Sequence, residues 1–480
     1  MFKHFITGSI TFLLCSTILW AQDTNIELTL EQSMQLAHNG NKSLKIASKE
    51  IEWAKYEHER IKSFWLPTVT ATGAFIHMSN DIEVRQPLSE YTDPAKDYIQ
   101  SIYPGEQIIT GALNKIGSQT LTVPLAPQNL ATFDANLTLP LFTGGKRIYA
   151  GKISKQMISA AKINKEQIDA GLQILLVENY FGLRLGNRIV DVKQKTYESL
   201  SMHYQNALKL EENGMINKAE RLFVQVNLDE AKRELEVAKK DLNITQKSFK
   251  VLIKMETEDN ISPVSSLFIN DSIPSLSYFK GLIVDNNYAS KQMKIQKDIA
   301  KHQLKIANAA YIPEIALLGK HTLFAHGIET NLLPRTFIGA GFTWNIFDGL
   351  NRENKIKQAR VAQQILDIEN EKIIDDNELA VDKLYNQLQN ALDNIATLNT
   401  TIEMSKELLR MRKVAYKEGM ATSTEVVDAE VMLSKVEIAS LMAYYEYDVA
   451  LINLLSVCGI PQSFDEYCTN GRTEQYIFNR

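Results

Sequence analysis

The sequence of 480 residues has little cysteine, long stretches without proline and no surplus of basic side chains. Its 52 Lys and Arg face 57 Asp and Glu, which gives a formal net charge of -5. A protein that neutralises nucleic-acid phosphates needs a basic surplus, so we expect no nucleic-acid partner. Beyond residue 21 there is also no run of about 18 uninterrupted apolar residues, which argues against a transmembrane helix. Any membrane contact must therefore come from strands or from a surface helix.

The first 21 residues have the pattern of an export signal. Lys3 supplies a positive start, residues 6–19 an apolar stretch, and Ala21 a small residue at a cleavage site. We expect residue 22 to begin the mature chain.

The sequence has three cysteines. Cys15 lies within the predicted signal and follows Leu14, where a lipoprotein signal needs a small residue, so lipidation is disfavoured. In an oxidising compartment Cys458 and Cys468 would form either a disulfide or two free thiols, and both interpretations stay open.

The 12 prolines avoid residues 141–262 and 335–460. Because proline breaks helix interiors, these two tracts predict long helices, the first over about residues 148–212. Gly214 in KLEENGMINKAE and Gly419 in AYKEGMATSTE are helix-ending signals within the tracts. Each tract is therefore interpreted as a helical hairpin, and an ordinary elongated coiled coil is the alternative.

Four other segments are predicted to be strands, because two of them alternate apolar with small or polar residues and two open with an aliphatic-proline pair. They are residues 66–78, 132–141, 312–324 and 337–346. About ten residues is the length of a strand that crosses an outer membrane, although a sandwich edge is the alternative. The predicted lipid-facing residues are Phe133, Leu137, Leu139, Phe342 and Trp344.

The chain is an internal repeat, since Gly144 and Gly349, like Gly214 and Gly419, are 205 residues apart. We expect a signal peptide at 1–21, a first repeat at 22–262, a linker at 263–275, a second repeat at 276–460 and a C-terminal tail at 461–480. The first repeat has a longer connection between its strands, and residues 80–128 are predicted to be a long external loop.

Four strands cannot close a membrane barrel, because the smallest membrane barrels use about eight. An open sheet edge is not tolerated in lipid, so several copies must share one barrel. The fold class is therefore mainly α with a membrane β-barrel portion, and the long helices leaving the strands would form a conduit.

The order of several motifs resembles the TolC-like outer-membrane efflux protein family. The motifs are LTLEQSMQLAHNGN, SFWLPTVTATG, LPLFTGGKR with its counterpart WNIFDGLNR, ENGMINKAE and KEGMATSTE. The resemblance implies a homotrimer with a 12-stranded barrel in outer-membrane lipid and an α-helical barrel in the periplasm. It also implies a periplasmic adaptor protein, an inner-membrane pump that supplies the energy, and neither catalysis nor a cofactor.

The resemblance further assigns a gate. Glu425 and Asp428, three residues apart on one helix face, occupy the position of the family's acidic ring, and Tyr416 and Glu220 that of its latch. The sequence departs from the family at Ala421, where a basic residue is expected. Solvated surface charges are the alternative interpretation of the acidic pair.

The expected adaptor-docking tips are Gly214 with Met215 and Gly419 with Met420, because they lie farthest along the chain from the strands. Glycines that only cap helices are the alternative.

Other classes of function have weaker support. GGKR at 144–147 lacks the frame of a phosphate loop, and His321 and His326 have no further ligand at metal-binding spacing, so we expect no metal site. A periplasmic coiled-coil adaptor or scaffold and a secreted enzyme are the remaining alternatives, and no catalytic motif favours the enzyme.

Overall fold

The structure, a computed structural model, describes residues 25–327 and 334–474. The predicted signal peptide lies outside the described residues. The helices of the described residues are α1 (Leu30–Gly40), α2 (Lys42–Lys62), α3 (Ser89–Ile102), α4 (Ile108–Gly117), α5 (Lys146–Glu212), α6 (Lys218–Ile253), α7 (Leu276–Asn286), α8 (Tyr288–Asn308), α9 (Asn351–Lys417), α10 (Ser423–Val457) and α11 (Phe464–Thr469). The strands are β1 (Ile26–Leu28), β2 (Thr68–His77), β3 (Ile82–Pro87), β4 (Thr120–Ala126), β5 (Asn129–Phe142), β6 (Ile261–Pro263), β7 (Phe268–Ile269), β8 (Glu314–His326), β9 (Thr336–Thr343) and β10 (Arg472–Thr473).

The chain forms two compact units, and each takes segments from both halves of the sequence. Of the described residues, the first unit comprises 25–50, 161–294 and 368–474, and the second comprises 51–160, 295–327 and 334–367. The first holds the far ends of the helical hairpins, and the second holds the four-stranded sheet.

The two predicted helical hairpins are confirmed as α5 with α6 and α9 with α10. Gly214 has φ +69° and Gly419 has φ +72°, the left-handed conformation that glycine adopts at low cost. At the first turn the Met215 amide donates to the Leu210 carbonyl at 2.8 Å, and at the second the Met420 amide donates to the Ala415 carbonyl at 2.8 Å. This bonding pattern is the Schellman motif, so both glycines end their helices as predicted.

The described helices include none whose length and apolar character suit a bilayer crossing.

The four predicted strands form one antiparallel sheet in the order β2-β5-β8-β9. Paired residues on adjacent strands point to the same face, and one face is almost entirely apolar or small. It carries Val69, Ala71, Gly73, Phe75, Phe133, Ala135, Leu137, Leu139, Ile315, Leu317, Ile338, Ala340 and Phe342. Four of the predicted lipid-facing residues share this face. The prediction of a strand at Trp344 is wrong, because β9 ends at Thr343 and the Trp344 indole donates to the Tyr311 carbonyl at 3.1 Å.

The opposite face of the sheet is polar and hydrogen-bonded. The Asp134 carboxylate accepts from the Thr322 hydroxyl at 2.7 Å and pairs with the Lys320 ammonium at 2.9 Å. Next to it, the Asn136 amide donates to the Thr72 hydroxyl at 2.9 Å. The two faces therefore differ in chemistry as the period-2 pattern predicts.

Residues 80–128, predicted as a long external loop, contain regular secondary structure. β3 and β4 pair in antiparallel fashion, and the segment between them forms α3 and α4. Five prolines over this span obscured the elements. Four of them fit turns, strand ends or an exposed strand, and Pro94 lies inside α3.

The predicted linker is part of the core of the first unit. β6 pairs with β1, β7 pairs with β10, and Leu267, Phe268 and Ile269 are buried. The Tyr447 hydroxyl donates to the Asn270 carbonyl at 3.2 Å and accepts from the Asn270 amide at 3.0 Å, which ties this segment to α10.

The segment after Pro461 is also better ordered than the polar tail that the sequence predicts. It forms α11 and β10, and Phe464 and Glu474 are fully buried. The Glu474 carboxylate pairs with the Arg184 guanidinium at 2.8 Å, so a polar residue here belongs to the packed unit.

Both described cysteines are free thiols in this structure. The Cys458 thiol is buried and contacts the Phe279 carbonyl at 3.6 Å. Burial raises the pKa of each thiol to about 12, so both stay protonated and unreactive at neutral pH.

Candidate functional site

The far ends of the two hairpins line an open cavity of about 1130 Å³ within the first unit. Six of the predicted gate and tip residues line it: Met215, Glu220, Tyr416, Gly419, Met420 and Glu425. Gly214 and Asp428 are exposed and are not among the lining residues. The fold thus brings most of the predicted site residues of both repeats to one place.

Glu425 is held by its own helix and by the helix before it. Thr422 caps α10: its hydroxyl accepts from the Glu425 amide at 3.4 Å, and the Glu425 carboxylate accepts from the Thr422 amide at 3.0 Å. This reciprocal pair is a capping box. The other Glu425 oxygen accepts from the Arg412 guanidinium of α9 at 2.9 Å. The negative charge of Glu425 is therefore locally neutralised, whereas Asp428, one turn further, is exposed.

Glu220 occupies the equivalent position at the start of α6. Its amide donates to the Asn217 side chain at 3.0 Å, and its carboxylate accepts from the Asn217 side-chain amide at 3.3 Å. The adjacent basic residue of α6, Arg221, pairs instead with Glu211 of α5. Glu220 therefore keeps a carboxylate without a cationic partner among the described ion pairs.

Tyr416 lies where α9, α10 and α5 meet. Its hydroxyl accepts from the Ser423 hydroxyl at 3.1 Å, and its ring meets the His203 ring edge-on at 4.8 Å between centroids. His203 is buried, and burial lowers the pKa of its imidazole. Within one chain Tyr416 thus joins the two hairpins through His203, and a latch between Tyr416 and Glu220 stays a prediction.

A polar triangle that the sequence analysis missed joins three helices beside this site. The Ser199 hydroxyl of α5 donates to the Glu430 carboxylate of α10 at 2.6 Å. The Lys413 ammonium of α9 donates to the Ser199 hydroxyl at 3.0 Å and pairs with the Glu430 carboxylate at 2.8 Å. Glu430 is only 9% exposed, so its charge depends on these two partners.

One sequence signal could have located Glu430. It stands one helical turn after Val426 and one turn before Ser434, on the buried stripe of α10. A carboxylate on such a stripe needs a cationic partner, although the sequence does not say which lysine provides it.

In the described residues no group of three or more His, Cys, Asp or Glu side chains could hold a metal ion. His321 and His326 are both in β8, and the His321 ring contacts the Thr336 hydroxyl at 2.7 Å. They are strand residues, as expected.

Comparison with known families gives one match. Residues 282–459 match the family model described as outer membrane efflux protein. No curated protein matches the sequence. The match covers the second repeat, from α7 to the end of α10, and confirms both the predicted family resemblance and the outer-membrane location with a periplasmic extension.

Solved structures of outer-membrane channels share the fold over nearly the whole chain. The chain is similar to CusC, with a TM-score of 0.71, 14% identity and coverage of 90% of this chain and 92% of that one. It is similar to VceC from Vibrio cholerae (0.67, 13%, 89% and 96%) and to the open state of MtrE from Neisseria gonorrhoeae (0.68, 17%, 90% and 88%). At these identities the likeness establishes the fold.

Proposed function

Because this chain belongs, through residues 282–459, to the outer membrane efflux protein family, we propose that it is the exit duct of a tripartite efflux or type I secretion system. In this proposal three copies form a 12-stranded barrel and a periplasmic helical barrel, and the duct is passive and not an enzyme. A periplasmic adaptor joins it to the inner-membrane pump that supplies energy.

The observation that carries the proposal is the four-stranded sheet with one apolar face. Its edge strands, β2 and β9, have no second neighbour among the described strands. Backbone groups at an open edge cannot stay unpaired in lipid, so β2 of one copy would pair with β9 of the next. Three copies supply twelve strands, and Phe133, Leu137, Leu139 and Phe342 would face the lipid.

Light scattering of the mature protein in detergent tests the oligomer. A trimer is expected, and a stable monomer would contradict the shared barrel. A chain that stays soluble without detergent would support the scaffold alternative instead.

We further propose that the hairpin turns are where the adaptor docks. Met215 and Met420 are 71% and 76% exposed at turns whose glycines have open space around them, so a partner could reach them. A photo-crosslinking residue at either position should capture the adaptor in cells. The control is Ile244, an exposed residue well inside α6.

A bulky residue offers a second test of docking. Gly419→Trp should abolish export and leave trimers intact, because tryptophan strains the turn and enlarges its surface. Normal export by this variant would refute docking at the second turn.

The gate proposal rests on the acidic residues after the second turn. Three copies would bring six carboxylates of Glu425 and Asp428 to the periplasmic mouth. Because Glu425 pairs with Arg412, the exposed Asp428 carboxylates would contribute most of the charge that attracts cations. In planar bilayers, replacing both residues with alanine should lower cation selectivity and weaken block by multivalent cations. Unchanged selectivity and block would remove these residues from the gate.

A further inference from the structure

The cavity between the hairpin ends has an apolar wall that no side chain of the unit fills. The wall is made by Met202, Leu210, Met215, Ile216, Met420 and Val426. The volume of about 1130 Å³ is near the upper end of typical small-molecule sites. Methionine side chains adapt to different ligand shapes, so three of them in one wall suit an apolar body.

The cationic side chains of the cavity are not balanced by its carboxylates. Lys413 is paired with Glu430, and Glu425 is paired with Arg412. Lys209 and Lys417 also line the cavity, are exposed, and form no ion pair among the described residues. Glu220 is the one remaining lining carboxylate, so the cavity keeps a net positive charge.

One buried nitrogen atom in the same cavity has no hydrogen-bond partner. His203 is 8% exposed, lines the cavity, and its Nε2 atom has no hydrogen-bond partner. Leaving a buried polar atom without a partner is unfavourable, and a ligand atom that bonds to Nε2 would remove this penalty. The site therefore combines an apolar wall, two free ammonium groups and an unsatisfied imidazole nitrogen.

We propose that this cavity binds a monoanionic amphiphile of small-molecule size. The apolar body lies on the methionine wall, Lys209 and Lys417 select the negative head, and His203 provides a hydrogen bond. The site lies within one folded chain and shares Met215 and Met420 with the turns proposed to dock the adaptor, so its tests use the protein without the adaptor.

Two fluorescent probes test the proposal with the full mature protein in lipid nanodiscs. The anion 8-anilinonaphthalene-1-sulfonate and the neutral N-phenyl-1-naphthylamine share one apolar skeleton and differ in the sulfonate. After subtraction of empty nanodiscs, the anion should bind saturably, one per chain, with a Kd at least about tenfold lower than that of the neutral probe. Equal affinities, or signal that never saturates, would overturn the proposal.

Charge reversal identifies the site. The double variant Lys209→Glu with Lys417→Glu should raise the Kd of the anion at least about tenfold and leave the neutral probe within about twofold. The matched control is Lys218→Glu. Lys218 is exposed, lies just after the turn at Gly214 and does not line the cavity. An unchanged Kd in the double variant would place the binding elsewhere.

Milder variants guard against misfolding. Lys209→Gln with Lys417→Gln should raise the Kd of the anion about threefold, and His203→Leu should raise it about threefold for loss of the hydrogen bond. Far-UV circular dichroism checks that the helices persist. Wild-type affinity in both sets, with folded protein, would contradict the assignment.

Discussion

The two hairpin turns share a backbone and differ in their charges. Gly214 and Gly419 have the same left-handed conformation, and Glu220 and Glu425, which are 205 residues apart, hold the same position in the first turn of α6 and α10. The carboxylate of Glu425 closes a capping box and pairs with Arg412, whereas that of Glu220 accepts from the Asn217 side chain and has no ion pair among the described residues. The repeat therefore preserves the geometry of the turn, and each copy uses its side chains for a different task.

The two hairpins also differ in how many residues their second helices bury. α10 buries residues along its whole length, including Glu430, whereas α6 buries only a few. At the position equivalent to Glu430, 205 residues earlier, stands Gln225, a part-buried residue that accepts a hydrogen bond from Arg221. The second hairpin thus contributes a nearly buried carboxylate to the network of Ser199 and Lys413, whereas the first has an uncharged glutamine at the equivalent position.

Glu430→Leu should cause the largest difference in local stability between the two turns. The substitution leaves Lys413 and Ser199 without their shared partner, which we expect to cost about 2 kcal/mol of local stability. Amide hydrogen exchange around the second turn should accelerate about thirtyfold. Gln225→Leu is the matched control and should change exchange at the first turn less than about threefold. Equal effects at both turns would mean that the network adds nothing.

Replacing Gly214 or Gly419 with alanine should destabilise the two turns by the same amount. Gly214→Ala and Gly419→Ala each force a Cβ into the left-handed region at a cost of about 1 kcal/mol, with no clash because no atom lies within 4 Å. Exchange at the amide after each glycine should rise about fivefold in both variants. A large difference between the turns would show that one backbone is held by contacts outside the turn.

Removing the carboxylate of Glu425 should destabilise its helix start slightly more than removing that of Glu220. Glu425→Ala removes half of a capping box and an ion pair, and should cost about 1 kcal/mol at the start of α10. Glu220→Ala should cost less than about 0.5 kcal/mol at the start of α6. Exchange at the first four amides of each helix measures both costs, and the reverse order would contradict the assigned roles.

Lowering the pH should reduce amide protection around His203, and the second repeat has no histidine at the equivalent position. Burial lowers the pKa of His203 below its ordinary 6.5. A hydrogen bond with the Ser423 backbone and the charge of Glu430 oppose this shift, and the charge of Lys413 adds to it. The neutral form of His203 favours the folded state, so protection of the surrounding amides should be full above pH 6.5 and fall as pH decreases. Residue 408, the equivalent in the second repeat, is Leu and does not titrate. His203→Leu should flatten the pH dependence of exchange, corrected for its intrinsic pH term.

Local signals in the sequence predicted most of the fold. The absence of proline located both hairpins, and Gly214 and Gly419 located their turns to the residue, because helix ends depend on adjacent backbone geometry. Period-2 patterns located two strands of the sheet, and an aliphatic-proline pair marked the start of each of the other two. The period-2 pattern extended the last strand through Trp344, whose indole prefers a bond to the Tyr311 carbonyl.

Contacts between distant residues could not be predicted from the sequence. Ser199 and Glu430 are 231 residues apart, and no periodicity links a serine on one helix to a carboxylate on another. The sequence likewise predicts Glu425 as a charge of the acidic ring. It does not predict that Arg412, 13 residues earlier, pairs with Glu425 and neutralises its charge. Packing decides which charges pair, and packing depends on the whole chain.

The short pairing of β7 with β10 constrains the order in which the chain can fold. Phe268 and Thr473 are partners in this ladder, and about two hundred residues separate them. Both helical hairpins are closed by local contacts and can form as each tract becomes available. The buried segment around Phe268 must wait until β10 has left the ribosome and been exported. During this interval its apolar side chains are open to chaperones and proteases, so export that stalls before residue 473 would yield a chain whose hairpins are complete and whose core is not.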